Sequence, residues 1–188
     1  MRIQKTLHSL HGGGAIDVAD VRSGLTNMVK DKSLSNAERG LAIHALGDAY
    51  AHTATTKDGD VAYAPGMGHG HRLSRPDFVS NNKEKYGAYL GNLTQALGAL
   101  NGKTPDVAKI NEITKMTDGL SHADNNGDAE IDEFRALAQG KSFGYDKSYE
   151  PEKSANEIDP SLGSLNKEKV SSTMDKMEAS VKKEKGGK

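Results

Sequence analysis

Residues 35–53 constrain this chain more than any other stretch. Ser35 with Glu38 three residues on is a capping-box signature, in which a hydroxyl and a carboxylate satisfy the free N–H groups of a helix start. It predicts a helix beginning at about residue 36. The run that follows, from Leu41 through Ala51, is rich enough in alanine and leucine to be buried. It also carries His44, Asp48 and His52. Polar and charged groups on a buried helix need partners, because removing them from water uncompensated is costly. Spaced by four, the three drift only about 40° per step and fall on one stripe.

Two imidazoles and a carboxylate on one stripe form a metal-binding edge. With a rise of about 1.5 Å per residue, His44 and His52 stand roughly 12 Å apart along the axis. Ligand bonds of about 2 Å cannot span that, so the spacing predicts a bridging Asp48 with one histidine on each of two metals. A second cluster follows at Gly66-Met67-Gly68-His69-Gly70-His71, whose glycines let a loop fold back over a helix face. Four of the seven histidines thus lie between 44 and 71. His8 and His11 are candidate additional ligands from the N-terminal end. The bland alternative treats each histidine singly as a core or surface residue and His69-Gly70-His71 as a polar turn. Tyr50 and Tyr63 read as packing.

His44-Ala-Leu-Gly-Asp48, His52 close behind it, and the glycine-bounded His69 and His71 resemble the zinc-dependent phospholipase C fold, which the fungal single-strand nucleases share. Residues 38–93 resemble more closely bacterial domains with the pattern HxLGDxYAH…GHxxxxxxPD, which form the C-terminal payload of Rhs-type secreted toxins. The resemblance covers about a third of the chain. It implies zinc held by His44, Asp48 and His52, with His69 or His71 as the downstream ligand, and it adds Asp77 of Pro76-Asp77 as a further candidate. The second histidine follows Asp48 by only four residues and no second such helix motif completes a three-zinc site, so one or two metals are expected. As a toxin payload the chain implies a parent polypeptide or delivery machinery and a cognate immunity protein. The start, Met1 to His8, has no apolar leader, so the expectation is synthesis in a bacterial cytoplasm and delivery by other means.

These residues point to a metal-dependent hydrolase of phosphodiesters, acting on a phospholipid or a nucleic acid. A metal ion supplies an activated water and polarises the phosphoryl oxygen. Asp48 is then both ligand and acceptor of the water proton, and Arg72 or Arg75 steadies the phosphate. The competing readings are a non-enzymatic domain stabilised by metal or calcium, and a metal-dependent nuclease. The absence of tryptophan and the 5% aromatic content count against a nuclease that grips bases by stacking.

A second motif lies at residues 124–133. Asp124, Asn126 and Asp128 place side-chain oxygens at positions 1, 3 and 5 of an EF-hand-like calcium loop, Glu130 offers its carbonyl, and Ile131 stands at position 8. Ala129 replaces the turn glycine and Arg135 the closing glutamate, so Glu133 would have to close a shortened loop. An Asx-rich helix cap is the simpler alternative.

The periodicity predicts an all-α chain: a helical bundle around the metal-binding helix, an EF-hand-like helix–loop–helix and a flexible tail. Helices are expected at 15–30, with Ile16, Val18, Val21, Leu25 and Met28 on one side, and from Pro76-Asp77 to Leu100, with Tyr86, Tyr89, Leu90, Leu93 and Leu97 in register. Asn101-Gly102 and Pro105 stop the latter. Further helices are expected at 106–121, 132–139 and 164–181, the last with Leu165, Val170, Met174, Met177 and Val181 on one stripe. Residues 182–188 read as disordered, and no stretch alternates well enough for a strand. The units are 1–105 for metal binding, 106–140 for the helix–loop–helix and 141–188 for linker, helix and tail.

Composition sets limits. A chain of 188 residues suffices for one core, but 35% hydrophobic residues and a mean hydropathy of -0.69 make that core thin. No cysteine means no disulfide, no thiolate zinc site and no cysteine nucleophile. A net charge of -1 gives no general attraction to nucleic acid, although residues 101–163 hold 13 acidic against 7 basic side chains and residues 164–188 hold 4 against 7. No apolar run is long enough for an integral membrane segment.

Overall fold

The computed structural model describes residues 1–66, 75–120, 127–138 and 165–187. Among these residues the chain is mainly α, with seven helices and one two-stranded sheet.

Helix α1 (Arg2–Thr6) is short, and the chain after it buries Leu7 and Leu10. Helix α2 (Ala15–Lys30) lies at the centre of the packing and buries Val18, Leu25, Met28 and Val29. Ile16 does not join that stripe and is 69% exposed. Two residues correspond to about 200° of rotation, so Ile16 and Val18 cannot share a face.

Helix α3 (Asn36–Ala51) starts where the capping box places it. Ser35 Oγ accepts from the Glu38 backbone N–H, and the Glu38 carboxylate accepts from the Ser35 N–H at 2.9 Å. Ala42, Ala45, Leu46 and Ala49 face inward against α2. The small alanines let the two helices approach closely.

Beyond α3 the chain forms an antiparallel hairpin, β1 (Thr53–Thr56) and β2 (Gly59–Ala62), paired from Thr53 with Ala62 to Thr56 with Gly59. Strands are absent from the sequence expectation. The signal lay in the β-branched threonines and in Asp58-Gly59, with Gly59 at φ 111° in a region few side chains tolerate. Four-residue strands are too short for alternation to register.

The helix expected to open at Pro76-Asp77 opens later. Two single 3-10 turns, Arg75–Asp77 and Val79–Asn81, precede α4 (Lys83–Asn101). Between them Phe78 is extended, and Asn82 Nδ2 donates back to the Pro76 and Phe78 carbonyls at 3.0 and 3.2 Å, which holds the kink. The C-terminal end of α4 is as read, with Gly102 in the left-handed region at φ 64°. Helix α5 (Val107–Met116) is capped by Asp106, which accepts from the Lys109 N–H at 3.1 Å, and ends in a 3-10 turn at Thr117–Gly119.

Helix α6 (Gly127–Ala138) begins five residues before the expected position 132, within the stretch read as a calcium loop. The last helix, α7 (Lys167–Gly186), runs through most of the tail expected to be disordered. The cause is tertiary: Glu184 accepts from Ser23 Oγ and Asn27 Nδ2 at 2.6 and 3.0 Å, and Lys185 pairs with Asp17 at 2.5 Å. Met174 and Met177 of α7 join Leu25, Met28, Leu46 and Ala96 in one core cluster, and α7 packs against α2, with smaller contacts to α3 and α1. Gly24 is needed for that approach, since a Cβ there would stand 2.8 Å from the Val181 backbone nitrogen.

Candidate metal centre

Asp48 sits in the last turn of α3, where the buried alanine face gives way to solvent. Its Oδ2 gathers three imidazoles. His8 Nδ1 is 2.9 Å away, His44 Nε2 is 3.5 Å away, and His52 Nδ1 is 3.8 Å away. His8, His44 and Asp48 each offer a ligand atom within 4.8 Å of the others, the single such group of three among the described residues. The rings of His8 and His44 meet edge to face, with centroids 5.3 Å apart.

The His8 position is built by the segment that follows α1. Ser9 takes the left-handed conformation at φ 50°, which is costly for a residue with a side chain. The cost is offset because Ser9 is buried and its Oγ donates to the Ala45 carbonyl at 2.9 Å, and because the Leu10 N–H reaches back to the Gln4 carbonyl at 2.9 Å. The segment is thereby laid along α3 with His8 over Asp48.

His52 has a different place from the one its spacing suggested. It ends α3, and its ring is almost entirely buried, with 7% of the side chain exposed. Its Nδ1–H donates to the His8 carbonyl at 2.8 Å, and its Nε2 faces Asp77 Oδ1 at 2.9 Å. Burial opposes a charge on this ring, but the Asp77 carboxylate, the His8 carbonyl and nearby Asp48 outweigh it, so its proton affinity is raised. His52 thus ties the His8 segment and the Asp77 turn to the end of α3. Asp48 Oδ2 lies closer to His8 Nδ1, at 2.9 Å, than to His52 Nδ1, at 3.8 Å.

The other candidates are placed as follows. Asp77 contacts His52 and belongs to the 3-10 turn at Arg75–Asp77. His11 is outside the cluster; its Nδ1 accepts from the Gly13 N–H at 3.1 Å, and burial lowers its proton affinity. His69, His71 and Arg72 lie outside the described residues, as do Asp124 and Asn126, and so does the side chain of Asp128. Glu130 is buried on α6, where its carboxylate accepts from the Val79 and Ser80 N–H groups at 2.6 and 3.1 Å and from Ser80 Oγ. It anchors the turn after Asp77. Glu133 is half-buried on the same helix.

The donor set suits a borderline divalent cation. Two imidazole nitrogens and one carboxylate oxygen are ligands zinc accepts, and three protein ligands leave a fourth position open. Tetrahedral zinc with bonds of about 2 Å needs ligand atoms roughly 3.3 Å apart, close to the separations of Asp48 Oδ2 from His8 and His44. The His8 and His44 side chains are 43% and 51% exposed, whereas Asp48 is 18% exposed, so the cluster has a buried root and an open face. A small cavity of about 140 Å³, lined by Tyr50, Asp77, Phe78, Tyr86 and Tyr89, shares no lining residue with the cluster. Compared with protein-family models, curated protein sequences and solved structures, the chain finds no match.

Proposed function

We propose that this chain is a metal-dependent hydrolase of phosphodiester bonds, using one zinc or similar divalent ion held by His8, His44 and Asp48. The observation that carries the reading is the convergence of those three ligand atoms on an open face of α3. A purely structural ion is normally enclosed by four protein ligands, and half-exposed imidazoles argue instead for access by water and substrate. A bound ion of this kind lowers the pKa of its water to about 7 and withdraws charge from a phosphoryl oxygen.

The protein's own groups do the rest. Asp48, rooted in the helix, fixes the position of the ligand set, with its Oδ2 2.9 Å from His8 Nδ1 and 3.5 Å from His44 Nε2. His52 holds the His8 backbone through its carbonyl and aligns it over Asp48. This is the outer support on which metal affinity depends.

The absence of cysteine and the likeness of residues 38–93 to toxin payload domains support a further reading, that the hydrolase is an antibacterial effector neutralised by an immunity protein. Its test is growth of a susceptible bacterium expressing wild type or Asp48→Ala in cytoplasm or periplasm. Arrest by wild type alone supports the effector reading, and equal growth in both compartments removes it. The hydrolase reading is tested directly by metal analysis of untagged protein, followed by turnover of a phospholipid, single-stranded DNA and a chromogenic phosphodiester with and without chelator. Chelator-sensitive turnover that Asp48→Ala abolishes is the expected result. A wild type that purifies with metal yet turns over none of the three would leave the ion a structural role.

A further inference from the structure

We propose that the cleft between α1, α2 and α7 binds a single-chain anionic amphiphile, of which a medium-chain fatty carboxylate is the simplest form. The cleft encloses about 500 Å³, inside the range of roughly 300–1,000 Å³ found for small-molecule sites. It shares no residue with the metal centre and does not depend on the hydrolase reading.

Its floor is apolar. Val21 and Leu25 are four apart on α2, and Met177 and Val181 are four apart on α7, so each helix turns one stripe toward the cleft. The helices touch where Gly24 meets the Val181 backbone, which closes one side. The end of α1, with Lys5 and Thr6, and the turn at His11 and Gly13 form the opposite wall.

The mouth is cationic. Lys5, Lys182 and Lys185 line it, and the two acids there are already engaged: Asp17 with Lys185 at 2.5 Å, and Glu178 with Arg2 Nε at 2.8 Å and Thr6 Oγ1 at 2.9 Å. Among the described residues neither Lys5 nor Lys182 has a carboxylate partner. Two uncompensated ammonium groups above an apolar floor are complementary to one anionic head on an alkyl chain. The wall adds a polar contact, because His11 Nδ1 already accepts from Gly13 and the ring's remaining proton sits on Nε2. The burial that lowers the proton affinity of His11 keeps it a neutral donor. An uncharged lipid leaves the lysines unanswered, and a small inorganic anion leaves the floor empty.

The test is a titration of the full chain with decanoate, carrying a ¹³C label at its carboxyl and kept below its micelle concentration. The protein is labelled at the methionine methyls. The expected result is saturable binding of one decanoate per chain with a shift of the Met177 methyl, and decanol binding about tenfold more weakly. Lys5→Ala with Lys182→Ala changes two exposed side chains, and should weaken decanoate by about tenfold or more with an unchanged circular dichroism spectrum. Val21→Phe, which fills the cleft, should weaken both ligands, whereas Asp48→Ala should bind decanoate as wild type does. No saturation at millimolar decanoate overturns the proposal. So does binding that is equal for decanol, or that neither the lysine pair nor Val21→Phe weakens.

Discussion

His8 Nδ1 lies 2.9 Å from Asp48 Oδ2 across a separation of 40 residues. That contact joins a non-helical segment near the start of the chain to the C-terminal end of α3, and it assembles the candidate metal centre. The account therefore separates residues that hold the ion from those that hold the segment.

His52 belongs to the second kind. Replacing it with alanine removes a buried ring together with its contacts to the His8 carbonyl and Asp77. The expected cost is about 2–3 kcal/mol in stability, with metal affinity falling about 10–100-fold. Denaturant unfolding with and without zinc checks this. His44→Ala, at a half-exposed site, should instead lose metal with little change in stability.

Glu130 reports on the neighbouring turn. Its carboxylate accepts from the Val79 and Ser80 N–H groups, the backbone immediately after Asp77. Glu130→Ala should cost about 1–3 kcal/mol and speed hydrogen exchange at those two amides first. Unchanged exchange at Val79 and Ser80 would contradict the anchoring role.

Acid stability should depend on Glu38. Lys176 at 2.6 Å, with the Ser35 hydroxyl and N–H, holds its carboxyl down to about 2 from an ordinary 4.5. A carboxyl depressed in the folded state stabilises the fold above its ordinary value and loses that contribution as the pH falls toward the depressed one. Glu38→Gln should therefore be less stable at pH 7, by about 1–2 kcal/mol once solvent screening of Lys176 is allowed for. The gap should close between about pH 4.5 and pH 2. Unfolding free energies measured across that range decide it.

Gly24→Ala places a methyl 2.8 Å from the Val181 nitrogen. Backbone cannot retreat as a flexible side chain can, so α2 and α7 must part at an expected cost of about 1–3 kcal/mol. Thermal unfolding of the variant checks the figure, and an unchanged midpoint would mean that the two helices are not in contact there.

Local chemistry was readable where one turn of chain decides the outcome. Ser35 and Glu38 marked the start of α3, Gly102 the end of α4, and Val18, Leu25 and Met28 the inner face of α2. The metal stripe was half readable: periodicity put His44 and Asp48 together, but no periodicity reports that His8 arrives from 40 residues away while the His52 ring turns inward. The left-handed Ser9 that steers His8 leaves no mark, since serine carries no preference for that conformation. Residues 182–186 read as a solvated basic tail because the partners that order them, Asp17, Ser23 and Asn27, are all on α2. The Asp58-Gly59 turn joins strands of four residues, too short for alternation to register.

The central claim is that His8, His44 and Asp48 together hold one divalent ion. Zinc titration by calorimetry of metal-free wild type, His8→Ala and Asp48→Ala, each confirmed folded, tests it most directly. The result expected is one zinc per wild-type chain and no stoichiometric binding by either variant. Undiminished binding by folded His8→Ala would contradict the account, as would a wild type that takes up no zinc.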